Sequence, residues 1–180
     1  MANATTINNF YNQAFIKQFA RDFHFRVRQI SIRGLQINGE TDLIYAKTGS
    51  LPGRNIENKQ VNYAGQTFNV DGKSTYPGSE GYSIEFFHDQ SVELRSKFEY
   101  ISRTIFNNET TTGSYGLAGA DSVIVLDLID INLNIVKEIR LIGASIRDIG
   151  EVAYSIADGT GEVTSFPVTF SYHFYEDFSV

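Results

Sequence analysis

The residues of this sequence that could carry out chemistry are few and scattered. Asp127 and Asp130 are closely spaced carboxylates, the type of pair that acid–base catalysis and metal binding use. They lie three residues apart in a segment that has the pattern of a β-strand, so their side chains face opposite sides and do not share a substrate or a metal. We expect both carboxylates to be exposed to solvent or to lie at an interface.

The other reactive residue types do not form a recognisable site either. The three histidines, His24, His88 and His173, lack the spacing of metal ligands, and Asp89, which follows His88, is better placed to cap a helix. There is no cysteine, and no glycine-rich loop leads from a strand into a helix with a phosphate-binding lysine. We therefore predict no catalytic residue, no cofactor, no metal and no enzymatic activity.

Composition predicts one main globular domain. The chain has 180 residues, of which 42% are hydrophobic and 20% charged, and its apolar runs are too short to span a bilayer. The first residues have neither a basic start nor an apolar stretch, so we expect no secretory signal. The net charge of −6 argues against a nucleic-acid clamp.

Charge is distributed unevenly along the chain. Residues 1–40 carry five basic and two acidic side chains, whereas residues 141–180 carry one basic and six acidic ones. This asymmetry suits head-to-tail self-association, and it equally fits two solvated surfaces.

Hydrophobic periodicity divides the chain into a helical arm at 1–22 and a β domain at 23–180. The arm has an aromatic stripe that includes Phe10, Phe15 and Phe19, which could bind a neighbouring subunit or dock on the protein's own sheet. From Phe23 the period changes to two, with a bulge expected near Gln29. A turn at Asn38-Gly39 and a second strand at 42–47 would complete a hairpin.

Residues 48–60 form a polar stretch with glycine and proline, which we interpret as a functional loop or a flexible connector. One internal helix is predicted from an N-cap at Asp89 to Ile105, with Leu94, Phe98, Ile101 and Ile105 on its buried face. Residues 107–119 are interpreted as an insertion or projecting hairpin. The remaining predicted strands are 60–63, 67–70, 82–88, 122–131, 135–143, 152–156 and 165–175, with turns expected at Ala64-Gly65 and Asp71-Gly72 and a bend near residues 148–150. The fold class is therefore α+β, mainly β: an antiparallel barrel or sandwich with one packed internal helix and an N-terminal helix.

The order of several short segments resembles the tail tube proteins of contractile-tailed bacteriophages. These segments are Leu51-Pro52-Gly53, residues 69–72, the 82–89 strand that leads into a helix with Leu94, Arg95 and Phe98, the Ile142-Gly143 and Ile149-Gly150 turns, and the closing 165–177 strand. Together they extend over roughly residues 43–178, and it is their order that carries the resemblance.

The resemblance implies a homo-oligomer of hexameric rings, stacked into a tube through which phage DNA passes without sequence-specific binding. It implies tail sheath and baseplate proteins as partners, no membrane, and a place in the virion tail after assembly in the host cytoplasm. The expected contacts between rings or subunits are Leu51, Pro52, Gly53, Arg54 and Asn55 in the 48–60 stacking loop, with Phe10, Phe15 and Phe19 of the arm.

Three alternatives remain open from the sequence. The chain could be a baseplate tube initiator or the tube subunit of a phage-like injection system. It could instead be a ligand-binding β-barrel or an enzyme, although no residues are nominated for a pocket. A secreted toxin or adhesin would suit the richness in threonine and asparagine, but not the missing signal and cysteines.

Overall fold

The structure is a computed structural model that describes residues 21–38, 45–114, 116–155 and 161–179, together with residues 7, 9, 11–13 and 15, whose backbone is helical. The helix α1 spans Glu93–Ile105. The strands are β1 Phe25–Ile32, β2 Leu35–Asn38, β3 Ala46–Thr48, β4 Asn55–Tyr63, β5 Gln66–Thr75, β6 Tyr82–Phe87, β7 Phe106–Asn107, β8 Thr112–Gly113, β9 Val123–Ile129, β10 Ile135–Ile142, β11 Ser145–Ile149, β12 Ser165–Ser171 and β13 Phe174–Ser179.

Two antiparallel sheets form the body of the protein. The first has five strands in the order β13-β10-β9-β1-β2, and the second has four in the order β11-β12-β6-β3. Two further sheets have two strands each, β4-β5 and β7-β8. The predicted class, mainly β with antiparallel strands and a packed internal helix, is confirmed. The architecture is sandwich-like rather than a closed barrel.

Alternation along the strands places one apolar face of each sheet in a common core. The core side chains of the five-stranded sheet include Val27, Ile30, Ile124, Leu126, Ile139 and Leu141. Those of the four-stranded sheet include Ile84, Phe86, Phe166, Val168 and Phe170. Each apolar side chain that is fully buried in this way contributes roughly 1.5–3 kcal/mol.

Helix α1 packs on this core through Leu94, Phe98 and Ile101 of the predicted stripe, which are buried, whereas its last member, Ile105, is half-buried. The Phe98 ring lies 5.2 Å from the Phe86 ring and 6.1 Å from the Phe170 ring, measured between centroids. Such tilted and edge-on aromatic pairs add to the energy of burial. The helix is therefore fixed to the second sheet by an aromatic cluster.

The prediction that Asp89 is the N-cap of the helix was wrong, because Val92 occupies that position. The helix begins at Glu93, after Val92 in a left-handed conformation with φ of 59°. The Asp89 carboxylate accepts a hydrogen bond from the Glu93 backbone N–H at 2.8 Å and one from the Ser91 hydroxyl at 2.5 Å. A short turn therefore separates the capping carboxylate from the first helical residue.

The first hairpin differs from the prediction. Its turn lies at Arg33-Gly34, where both residues have positive φ, and β2 pairs with β1 from Leu35 onward. Ile37 faces the core and β2 ends at Asn38, the first residue of the predicted turn, whose second residue is not among those described. β3 pairs with β6 and not with β1. Residues 39–44, including the rest of the predicted 42–47 strand, lie outside the described residues. The predicted bulge is confirmed, because the β1–β9 register shifts between Val27 and Gln29.

The C-terminal strand predicted at 165–175 is two strands in different sheets. The buried face of Phe166, Val168, Phe170 and Tyr172 is confirmed, but the chain leaves the second sheet at Tyr172-His173. β13 then joins β10 of the first sheet. The alternation therefore fails at Phe174, which is 38% exposed.

Two further strand predictions needed correction. Residues 151–155 are not a strand, whereas β11 runs through Asp148, where a bend was expected. Asp71-Gly72, predicted as a turn, lies within β5, where the pairing with β4 is interrupted by a bulge. In the 107–119 segment, β8 pairs with β7.

The aromatic cluster gives a test of the fold. We expect Phe98→Ala to lower the free energy of unfolding by about 3–5 kcal/mol, because it removes a fully buried ring and leaves a cavity. Urea unfolding followed by circular dichroism measures this change. Tyr100→Ala, on the exposed side of the same helix, should change it by less than about 0.5 kcal/mol. Equal losses in the two variants would contradict this packing.

Candidate assembly surfaces

The predicted stacking loop is shorter than the sequence suggested. Of residues 48–60, only 49–54 form a loop, since Thr48 ends β3 and Asn55 begins β4. Leu51, Gly53 and Arg54 are exposed, and Pro52 is half-buried. The residues predicted to stack rings therefore sit together at the base of the β4–β5 hairpin.

This loop is tied to the body and to the hairpin. The Tyr82 hydroxyl donates a hydrogen bond of 2.5 Å to the Ser50 carbonyl, and burial raises the pKa of Tyr82 despite that bond. Gly49 packs so closely on the Phe25 ring that a Cβ there would lie 2.5 Å from it. Arg54 Nε donates to the Ser74 hydroxyl at 3.1 Å. The loop is therefore held in place by the body and the hairpin and is not a flexible connector.

The hairpin itself extends away from the core. β4 and β5 are joined by the Ala64-Gly65 turn that the sequence predicted, and every residue of β4 is exposed. A strand of nine residues is about 30 Å long. The sequence pattern was interpreted as a loop up to residue 60, so it missed the first part of β4.

The two faces of the hairpin differ in chemistry. The register pairs Val61 with Phe68 and Lys59 with Val70 on one face, where Tyr63 also lies. The opposite face pairs Gln60 with Asn69 and Asn62 with Thr67. We call the exposed residues Val61, Tyr63, Phe68 and Val70 the apolar hairpin face.

An exposed apolar hairpin face is unusual for a surface that meets only water. Isolated two-stranded hairpins are marginally stable, and contiguous apolar patches commonly mark contact sites. The alternation of apolar and polar residues in β4 and β5 is the pattern of a half-buried strand, although β4 and residues 66–71 of β5 are exposed in the described structure. The pattern indicates that the hairpin is built to pack against something else.

A second surface is the outer face of the five-stranded sheet, opposite the core. It holds a chain of ion pairs: Arg26 Nη2 lies 2.7 Å from Asp127 Oδ2, and Arg28 bridges Asp127 and Glu138. Arg140 also pairs with Glu138. Of the two alternatives predicted for Asp127, exposure to solvent was wrong, because its neighbours on the sheet bury it completely; a place at an interface stays a prediction.

These contacts change the titration of Glu138. Burial would raise the pKa of its carboxyl, but the hydrogen bonds from Arg140 and Arg28 outweigh that effect and lower it. The same face is concave, with an open groove of about 530 Å³ lined by residues that include Arg28, Ser31, Val125, Arg140 and Glu176. It is thus a curved surface on which charges of both signs are already paired.

Asp130 has a separate, structural role. Its carboxylate accepts hydrogen bonds from the Asn134 side-chain amide at 3.1 Å and from the backbone N–H groups of Asn134 at 2.9 Å and Asn132 at 2.8 Å, which close the β9–β10 turn and lower the pKa of Asp130. His88 lies beside Tyr154, with 3.4 Å between Nε2 and the hydroxyl. Among the residues that the structure describes, no group of three or more His, Asp or Glu is arranged to hold a metal ion.

The predicted arm contacts are only partly described. Phe10 and Phe19 lie outside the described residues, whereas Phe15 has helical backbone and is 85% exposed. The structure does not bring Phe15 together with the 51–55 residues in any recorded contact. Within the described part of the chain, no helix is both long and apolar enough to cross a bilayer.

No protein-family model matches this sequence, and no curated protein matches it. Solved structures do match. A chain of the anti-feeding prophage tube-terminating cap aligns with a TM-score of 0.60 at 9% identity, over 91% of this chain and 93% of that one. A chain of the anti-feeding prophage baseplate aligns with a TM-score of 0.58 at 15% identity, over 87% and 93%.

A third match comes from the sheath–tube complex of an extracellular contractile injection system, with a TM-score of 0.52 at 11% identity over 94% of this chain and 97% of that one. The fold is that of contractile injection system proteins. The fold that the resemblance to tail tube proteins implied is therefore confirmed. Identities of 9–15% establish the shared fold, and the role of the chain is a separate question.

The Glu138 ion pairs predict how stability depends on pH. A carboxyl whose pKa is lowered in the folded state stabilises that state above its unfolded pKa, and this contribution is lost as pH falls through the lowered value. We expect the free energy of unfolding to fall below pH 4.5, and to fall less steeply in Glu138→Gln. Urea unfolding at a series of pH values measures the slope. Glu151→Gln, which removes an exposed carboxylate, is the control, and an unchanged slope in Glu138→Gln would contradict the assignment.

Proposed function

We propose that this chain is a structural, non-enzymatic subunit of the tube of a contractile phage tail or phage-like injection particle. In this proposal six copies close a ring, rings stack into a tube, and the tube contacts sheath and baseplate proteins. The fold shared with chains of a tube-terminating cap, a baseplate and a sheath–tube complex supports it. The observation that carries it is the apolar hairpin face, whose four side chains are all exposed in the described structure.

The hairpin is suited to a contact between successive rings. It extends about 30 Å, its polar face can remain in water, and its base is fixed by the Tyr82–Ser50 and Arg54–Ser74 hydrogen bonds. In this arrangement Leu51, Pro52, Gly53, Arg54 and Asn55 direct the hairpin and lie at the margin of the contact. An anchored base matters, because a loosely attached hairpin would lose more conformational entropy on docking.

The outer face of the five-stranded sheet is suited to line the channel. It is concave, and Arg26, Arg28 and Arg140 are each paired with a carboxylate. A passing DNA would have to displace those carboxylates to gain phosphate contacts, so it would be held weakly. The proposal therefore includes passage of DNA without sequence-specific binding, in a particle assembled in the cytoplasm of the host and located in the virion tail.

A role at one end of the tube, as a baseplate initiator or a terminator, is the second candidate. Its support is that the two higher TM-scores reported above belong to chains of a cap and a baseplate, at 0.60 and 0.58, against 0.52 for the sheath–tube complex. An end subunit would form single rings without extending them.

Negative-stain electron microscopy of the purified chain over a concentration series tests both candidates. Tubes support the tube-body subunit, isolated rings support the end subunit, and small particles of one size at every concentration contradict both.

The hairpin can be tested with matched double variants. We expect Val61→Ser with Phe68→Ser to leave the urea unfolding midpoint nearly unchanged, because neither residue is in the core, while tube formation is lost. Gln60→Ser with Asn69→Ser alters the adjacent pair on the polar face and should retain tubes. Normal tubes from the apolar-face variant would show that the hairpin does not stack the rings.

A further inference from the structure

A break in the pairing of β4 with β5 separates the apolar hairpin face from the base of the hairpin. At the base, residues 55–56 pair with residues 74–75. The register then shifts, and pairing resumes with Asn58 opposite Asp71. Between these two paired segments β4 has one residue and β5 has two. Two residues opposite one form a β-bulge, here with the extra residue in β5.

This hairpin bulge consists of Glu57 in β4 and of Gly72 and Lys73 in β5. The two strands approach so closely there that a Cβ on Gly72 would lie 2.6 Å from the Glu57 backbone oxygen. The bulge in this form therefore requires glycine, since a side chain would force the two backbones apart. Lys73 Nζ lies 3.6 Å from Glu57 Oε1, but both side chains are exposed, so this ion pair adds little stability.

The bulge lies where β5 leaves the body. Residues 66–71 of β5 are all exposed, whereas Ser74 and Thr75 on the other side of the bulge are half-buried. The Ser74 hydroxyl also accepts the hydrogen bond from Arg54. The base of the hairpin is therefore held by the body, and a bend at the bulge moves the whole apolar hairpin face relative to it.

The extra residue is not needed for the pairing. Without Gly72, Lys73 would lie opposite Glu57, and the pairs on both sides of the bulge would join in one continuous register. Val61 would still pair with Phe68, so the apolar face would keep its composition. What a bulge changes is the path of the strand, because it bends the strand and increases its local twist.

We propose that the hairpin bulge fixes the angle at which the hairpin leaves the body, and that this angle aims the apolar hairpin face at the next copy of this chain. Gly72 is then a positioning residue, which acts through the four apolar side chains beyond it. This inference rests on the proposed function, in which copies of the chain meet through the hairpin.

Deletion of Gly72 tests the angle, because it removes the bulge and keeps the pairs on both sides of it. Since the sequence has no cysteine, spin labels can be attached at Asn62→Cys near the hairpin turn and at Ser96→Cys on α1. A second label pair joins Asn62→Cys to Asn132→Cys in the β9–β10 turn. Pulsed electron paramagnetic resonance of dilute, unassembled chain measures both distances.

We expect the deletion to shift at least one distance by about 7 Å, because residues 58–63 extend about 20 Å beyond the bulge and a change of about 20° moves their end by that amount. Gly72→Ala keeps the chain length and forces the bulge open, so it should shift the same distance. Lys73→Gln keeps the bulge and removes only the exposed ion pair, so both distances should stay unchanged. Unchanged distances after the deletion would overturn the inference.

Negative-stain electron microscopy of the same variants, without labels, tests whether assembly uses this angle. We expect deletion of Gly72 to abolish tubes although the four apolar side chains remain, and Lys73→Gln to retain tubes. Normal tubes from a deletion that has moved the hairpin would overturn the inference and leave the tube role standing. Absence of rings and tubes from the unaltered chain would instead be a failure of the proposed function, and the label distances would still decide whether the bulge sets the angle.

Discussion

The rings of Phe86, Phe98, Phe166 and Phe170 form the contact on which the rest of this structure depends. They fix α1 to the second sheet, and the helix in turn forms one wall of a groove beside β2. The chain that passes from β12 through Tyr172-His173 into β13 joins the second sheet to the first. Both sheets and the helix therefore share one core, and the surfaces proposed for assembly are carried on this body.

The body and the hairpin use the same residue types in different ways. Valine, tyrosine and phenylalanine are buried in the body, whereas in β4 and β5 they alternate with polar residues and remain exposed. Since apolar burial is the main favourable term in folding, a chain that leaves such a pattern uncovered gains stability when a partner covers it. Folding of the body and assembly through the hairpin can therefore be altered by different substitutions.

Much of this fold could be predicted from local patterns, and the errors came from contacts between distant parts of the chain. Strands β6, β9 and β10 and the buried stripe of α1 followed directly from their periodicity. The terminal strand was wrong where the chain changes sheets, because alternation gives the face of a residue and not the sheet to which it belongs. The alternative that exposed Asp127 to solvent was wrong, because the sequence does not show that Arg26 and Arg28 lie beside it across the sheet. The 48–60 segment was interpreted as a loop, because the polar residues from Asn55 onward hid the strand that they form with β5.

The hairpin also gives an assembly a direction. It leaves the body on one side only, at the 49–54 loop, so a stack that joins through it has hairpins at one end and vacant acceptor surfaces at the other. The two ends of such a stack are chemically different, and subunits add to them at different rates. A particle of defined length then needs a different protein to start the stack than to finish it.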